Sequence, residues 1–359
     1  NKKQIEKEML SKLKNKINFI YNLKYIFLIL FFILLNYKLS FSDENLCKDH
    51  KKLNSETEIG CYEKRVIGVL ILYDSEIILD KEWIKNINLR FEEINKFYYK
   101  NFKIEWRVES FQEFQFDKNI DNLSSLFSMH KEEISSLTDN LKAEVVLGLI
   151  DRDIKGIGIA STFSNVLMVV DSFKLENFNS SVVIAHELGH LFGAWHTQRK
   201  NDFMLFSGAN KLLGSNESNA ILKLMRNYNF KPSTIINDET ILKRISRLYN
   251  RHHAKGEIDP VARLLTDEGK NLYHNKEYNA AIKMLKRSNK YYGRWGKTRM
   301  ILSKSYYENN LLEDSFTEYT RAVFFGSKPD KHHEKKLEKK FIDLQKIDPT
   351  ISNPFNINN

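Results

Sequence analysis

The sequence predicts an α+β fold in which helices cover a twisted mixed sheet, followed by an all-α domain of helical repeats. Three observations carry this. Between residues 66 and 172, short apolar runs alternate with stretches of helical periodicity. From Ala262 onward, small and apolar residues recur at a spacing of 34. The chain is 359 residues long, 42% of them hydrophobic, which gives it the length for two cores and too little polarity for a disordered protein.

Residues 1–42 have the layout of a secretory signal: a basic stretch "KLKNKINFIYNLK", an unbroken apolar run from Tyr25 to Leu35, and small residues at Ser40 and Ser42 ahead of a cleavage site before Asp43. The run is shorter than the roughly 20 residues that span a bilayer, so a secreted or periplasmic protein is expected. A membrane anchor retained over residues 25–41 is the alternative. The next segment, 43–65, contains Cys47 and Cys61. An oxidising compartment lets them pair, closing a loop of about 15 residues that constrains the unfolded chain by about 3 kcal/mol; two free thiols are the alternative. The net charge of +10 raises the question of nucleic acid, but +6 of it falls in residues 1–42 and the remaining +4 is spread along the chain. No nucleic-acid partner is expected.

Residues 66–232 are expected to form the α+β domain. "RVIGVLILYD" reads as a buried strand, Trp83 to Tyr99 has helical periodicity, and "FKIEWRVES" alternates like a strand. Leu123 to Leu141 reads as helix, and "AEVVLGLID", "GIGIAST" and "NVLMVVDS" as three further strands. Next comes "VVIAHELGHLF", with Asn179, Ser180 and Ser181 as possible N-caps and Gly193 to end the helix. Ile184, Leu188 and Leu191 share the face that packs on the sheet. His186 and His190, four apart, lie one turn above the other on the opposite face, so both imidazoles can reach one metal ion. Glu187 is placed to hold a water beside that ion. Gly193 allows the sharp exit that brings His196 back as a third ligand, and three histidines with one position open describe a catalytic rather than a structural zinc site.

His186, Glu187, His190, Gly193 and His196 match all five fixed positions of the signature H-E-x-x-H-x-x-G-x-x-H, so the segment resembles the metzincin zinc proteases. Met204, in "NDFMLF", stands eight residues after His196, similar to the Met-turn spacing of the matrixin branch. The resemblance implies one catalytic Zn2+ held by His186, His190 and His196, with Glu187 as general base and Gly193 and Met204 in structural roles. It also implies a closing helix such as Glu217 to Tyr228, a specificity pocket walled by Leu205 to Asn210, and an edge strand within Gly156–Ala160. In that strand Gly158, Ile159 and Ala160 would bind an extended peptide or protein substrate. Phe206 stands where some members have a tyrosine near the metal, and the cysteines of adamalysin-like lobes and of archaemetzincins are absent, leaving the subfamily open. A gluzincin-type third ligand from Glu217 is the competing arrangement. Trp195 is expected to pack against the turn rather than line the cleft.

After a helical linker, 233–261, residues 262–347 are expected to form the repeats. The 34-residue shift places Gly269 on Ser303, Leu272 on Tyr306, Tyr278 on Leu312, Ala281 on Ser315 and Leu285 on Tyr319. This resembles two degenerate tetratricopeptide repeats, flanked by "ETILKRISRLY" and "EKKLEKKFIDLQKI" as capping helices and followed by a loose tail, 348–359. Such a module implies a groove for a protein partner or substrate; a helical appendage that only sets spacing is the alternative. His252–His253 and His332–His333 lie in polar, Lys-rich segments and are expected to be solvated. The reading is thus an exported zinc metalloendopeptidase with a binding module. Its alternative is an exported binding scaffold with an inactive metzincin-like lobe, which gives no reason for Glu187 to be present.

Overall fold

The run Ile67–Leu72 is apolar on both of its faces, which suits a strand covered on both sides. In the computed structural model it forms the middle of β1 (Arg65–Asp74), where Ile67, Val69 and Ile71 point into one apolar cluster and Leu70 and Leu72 into another. The structure describes residues 62–75, 77–140, 142–171, 180–208, 210–351 and 354–355. The expected signal segment and the Cys47–Cys61 pairing lie outside these residues.

β1 is flanked by β2 (Ile104–Phe114) and β3 (Val145–Ile150), β5 (Val166–Val170) follows β3, and β4 (Gly158–Ala160) closes the sheet at its edge in the order β2-β1-β3-β5-β4. All pairings are parallel except that of β4 with β5, where Gly158, Ile159 and Ala160 face Val169, Met168 and Leu167. The helices α1 (Lys81–Phe102) and α3 (Ser180–Leu191) cover one face of the sheet; α2 (Leu123–Ser136) covers the other. Asp80 caps α1 by accepting from the Trp83 amide, and Lys103 ends it in the left-handed conformation. β2 runs four residues past the expected "FKIEWRVES". In this extension, "FQEF", Gln112 and Glu113 are exposed while Phe111 and Phe114 pack against the apolar clusters on an edge strand.

The apolar core does not stop at residue 232. After α4 (Asn216–Leu224) and the short α5 (Ser233–Ile236), Leu242, Ile245 and Tyr249 of α6 (Glu239–Tyr249) and Val261, Leu264 and Leu265 of α7 (Pro260–His274) join the cluster that includes Ile184 and Leu188 of α3. The expected linker is therefore part of the main core, and residues 65–359 make one compact unit. α4 ends at Leu224 instead of reaching Tyr228. There the chain turns so that Arg226 donates to the Phe102 carbonyl and Tyr228 to that of Phe163.

Helices α7 and α8 (Tyr278–Tyr291) form one hairpin, and α9 (Gly296–Glu308) and α10 (Leu312–Phe324) a second; α11 (Lys331–Ile347) follows. α8 and α10 begin 34 residues apart, and α7 and α9 end 34 apart. Small residues let the helices approach: a Cβ on Gly269 would lie 2.6 Å from Leu285, and Thr266 meets Ser288 at 2.8 Å and Thr298 at 2.7 Å. The expected loose tail is partly packed, with the Phe355 ring 5.0 Å from that of Phe316. Among the described residues no helix is long and apolar enough to cross a membrane.

The histidine pairs are not all solvated. His253 stacks on Tyr249 at 4.3 Å, and His333 is buried with its Nε2 2.8 Å from the Ser303 hydroxyl. Burial and the Lys304 charge push the His333 imidazole down to about 4. In the unfolded chain a histidine titrates near about 6.5, so between the two values the unfolded state binds the extra proton. The stability this residue contributes is complete above the unfolded value and is lost as pH falls towards the folded one, by up to about 3 kcal/mol. Urea unfolding of chelator-treated protein at neutral pH and at mildly acidic pH should show this loss, and His333→Gln should diminish it. Equal losses in both proteins would refute the assignment.

Candidate metal centre

α3 is buried almost all round, including its polar residues Glu187 and His190. It is held at depth by Tyr98, whose hydroxyl donates to the Ala185 carbonyl at 2.9 Å. The helix ends in a Schellman turn: the Gly193 amide donates to the His190 carbonyl at 2.8 Å, the Ala194 amide to that of Gly189 at 3.2 Å, and Gly193 has φ +85°. That turn sends the chain back across the helix end, and His186, His190 and His196 converge, with one ring nitrogen of each within 4.8 Å of the others.

The outer ring nitrogens fix the tautomers. Nδ1 of His186 lies 2.7 Å from the Phe203 carbonyl and Nδ1 of His190 lies 2.7 Å from the Ala194 carbonyl. Carbonyls only accept, so both Nδ1 atoms carry hydrogens and both Nε2 atoms are bare when the rings are neutral. Neutrality is enforced. Burial, then the neighbouring His196, pushes His186 down to about 4, and burial with the two other histidines pushes His190 well below its ordinary value. Yet the two bare Nε2 atoms face each other at 3.2 Å. Two lone pairs cannot hydrogen-bond to one another, whereas two nitrogens about 2.0–2.1 Å from one tetrahedral ion stand at about this separation. The donor set fits a metal ion of the zinc type.

The segment under the histidines is built around Met204 and Asp202. Met204 is fully buried, and a Cβ on Gly189 would come within 2.7 Å of its sulfur, so the glycine in α3 makes room for it. Asp202 was not singled out by sequence, although it directly precedes the Phe203–Met204 pair. One of its oxygens accepts from the Met204 amide at 3.0 Å; the other accepts from Thr197 at 3.1 Å and Ser218 at 2.7 Å. Phe206 is 66% exposed and its ring lies 5.3 Å from that of His196. Trp195 is buried against Tyr249 and donates to the His252 carbonyl at 2.7 Å. Glu217 is not near the imidazoles as a fourth group; its carboxylate pairs with Arg199 at 3.0 Å.

Glu187 opens onto a cleft of about 670 Å³ that it lines with His186, His196, Gly158, Ile157, Val182, Val183 and Leu205–Gly208. Burial pushes its carboxyl up to about 8. A Cβ on Gly158 would lie 2.6 Å from its Oε1, so the glycine in β4 leaves the space the carboxylate uses. Ala160 lines a second, small cavity of about 80 Å³ beside His190 and His196, while Ile159 packs on the opposite apolar cluster. That small cavity is also lined by Glu257 and Arg263, which no local pattern in "KGEIDPVAR" marks as part of a site.

Residues 63–220 match the family model described as metallo-peptidase family M12 (Reprolysin_5). No curated protein matches the sequence. Among solved structures, a chaperone–substrate complex is similar at 14% identity over 46% of this chain and 35% of that one, with a TM-score of 0.37. Archaemetzincin from Methanopyrus kandleri is 16% identical over 45% of this chain and 96% of that one, with a TM-score of 0.33. Metalloproteinase-II from Bacteroides fragilis is 16% identical over 45% of this chain and 54% of that one, with a TM-score of 0.34. This chain thus spans about a third of the first of these chains and about half of the third. The family match and the three imidazoles that converge inside the matched span together support a metallopeptidase domain over residues 63–220.

Proposed function

We propose that the protein is an exported, zinc-dependent endopeptidase of the metzincin type. The observation that carries this is the pair of bare, neutral Nε2 atoms facing each other at 3.2 Å beside His196 and next to a buried glutamate that opens onto a cleft. His186, His190 and His196 are the ligands of one zinc ion. When bound, zinc acts as a Lewis acid on a substrate carbonyl and lowers the pKa of water to about 7. Glu187 takes the proton from the attacking water and returns it to the leaving amine. Gly193 and Met204 fix the position of the third histidine and the floor beneath the site.

β4 lies at the sheet edge, so an extended peptide can add to it as a further strand, with Gly158, Ile159 and Ala160 supplying backbone groups. Ile157, Val182, Val183, Leu205 and Phe206 give the adjoining cleft an apolar wall, which favours an apolar substrate side chain there. The hairpins α7–α8 and α9–α10, offset by 34 residues, support a tetratricopeptide-like module that binds a protein partner or presents substrate. Export rests on the signal-like residues 1–42, with the anchor over 25–41 as its variant.

The test is zinc content together with cleavage of an unstructured protein such as casein, measured on the full chain with and without a chelator. One zinc per chain and cleavage that the chelator abolishes are expected. Zinc-free protein after metal-replete purification would defeat the reading in favour of a non-catalytic scaffold.

A further inference from the structure

The three histidines are not oriented alike. His186 and His190 are held at Nδ1 by backbone carbonyls of their own neighbourhood, Phe203 and Ala194. His196 Nδ1 instead meets a carboxylate, Glu257 Oε2, at 2.7 Å, from a residue 61 positions further along and outside the span that matches the peptidase family. Glu257 is 8% exposed, and its other oxygen accepts from the Arg263 guanidinium at 3.1 Å.

The turn that carries Glu257 is itself fastened. Its backbone carbonyl accepts from the Tyr249 hydroxyl at 2.7 Å, and its amide donates to the Ala254 carbonyl at 3.1 Å. The Ala254 amide donates to the carbonyl of His196 at 2.8 Å. Two residues on, Asp259 caps α7 through the Val261 amide at 2.8 Å and accepts from Ser246 of α6 at 2.5 Å. The carboxylate therefore reaches His196 from a backbone that is tied both to α6 and α7 and to His196 itself.

We infer that Glu257 is a positioning residue of the metal centre, and that the α6–α7 turn is thereby a working part of the active site. The inference rests on the proposed zinc site. A carboxylate at Nδ1 holds the hydrogen on that atom, leaves Nε2 bare as the ligand atom and fixes the ring plane. Arg263 holds Glu257 in that pose from the first turn of α7. A purely structural Glu257–Arg263 pair would join the α6–α7 turn to α7 without affecting the metal.

The experiment uses the full chain and its Glu257→Gln variant, with Glu217→Gln as a control that removes a carboxylate of the same domain not in contact with a histidine. Zinc affinity is measured by competition with a chromogenic chelator, and the Co(II)-substituted proteins are compared by visible absorption. Glu257→Gln should bind zinc about 10- to 100-fold more weakly and show an altered Co(II) spectrum, while Glu217→Gln matches the unmutated chain. Glu257→Asp keeps the charge on a shorter arm and should lose less, which serves as the test if the glutamine variant does not fold. Zinc held by Glu257→Gln as tightly as by the unmutated chain, with an unchanged Co(II) spectrum, would overturn this inference and leave the zinc site standing. An unmutated chain that takes up no zinc would overturn both.

Discussion

Glu187→Gln is expected to lower the rate of peptide cleavage by about 10²- to 10⁴-fold while zinc content stays at that of the unmutated chain. The substitution keeps the shape and the buried position of the side chain, 6% exposed in the folded protein, and removes only its ability to accept a proton. Neither His186 nor His190 depends on Glu187 for orientation, because their Nδ1 atoms are fixed by the Phe203 and Ala194 carbonyls. Folding should not suffer either. Burial raises the carboxyl's proton affinity, so the native state bears a cost for an ionised Glu187 that a neutral amide avoids. Zinc analysis, turnover and a thermal melt on the same preparation check all three parts. A variant that cleaves at the unmutated rate would remove Glu187 from the chemistry, and one that loses zinc would make it a structural residue.

Gly193→Ala should unfold the site rather than slow it. With φ at +85°, an L side chain at this position costs about 1–2 kcal/mol. The new Cβ would also lie 2.1 and 2.2 Å from two carbons of the Phe163 ring. That ring has nowhere to go: it is fully buried, stands edge-on to Tyr228 at 6.0 Å, and its own backbone is tied to the carbonyl of His190 through its amide and to the Tyr228 hydroxyl through its carbonyl. Overpacking of this kind adds about 1–3 kcal/mol, so a total loss of about 3 kcal/mol or more is expected. Since Gly193 also directs the chain to His196, zinc occupancy should fall with stability. Urea unfolding with and without a chelator measures both, and a variant with the original midpoint and a full complement of zinc would contradict this account of the turn.

What the sequence made legible follows the range of the interactions involved. His186 and His190 are one helical turn apart and Gly193 ends that helix, so local spacing predicts their convergence with His196, and the structure brings the three together. The strands β1, β3 and β5 were legible because burial on both faces leaves continuous apolar runs. The end of β2 was not, since an edge strand half in solvent reads as polar. Asp202 was missed, although its place just before Phe203 and Met204 could have suggested a turn-fastening carboxylate. Glu257 had no sequence signal at all: it is one acid in a charged stretch, and its partner is 61 residues away. His333 was expected in solvent because its neighbours are lysines, but one face of α11 turns it inward on Ser303.

Among the described residues the sheet has two open margins, and they are defended against unwanted pairing in different ways. Among the described residues β2 pairs with β1 alone, and its 11-residue outer side has Glu105, Arg107, Glu109 and Glu113 along it, charges that would have to be desolvated before another chain could bind there. β4, the proposed substrate margin, has no such charges and is kept safe by brevity, since three residues offer too few ladder bonds to recruit a neighbouring sheet. A flexible peptide can use those few bonds because the adjoining cleft adds side-chain contacts. A folded protein, whose strands are already satisfied and rigid, gains nothing by presenting them, so under the proposed function the length of one short strand would favour unfolded chains over native neighbours.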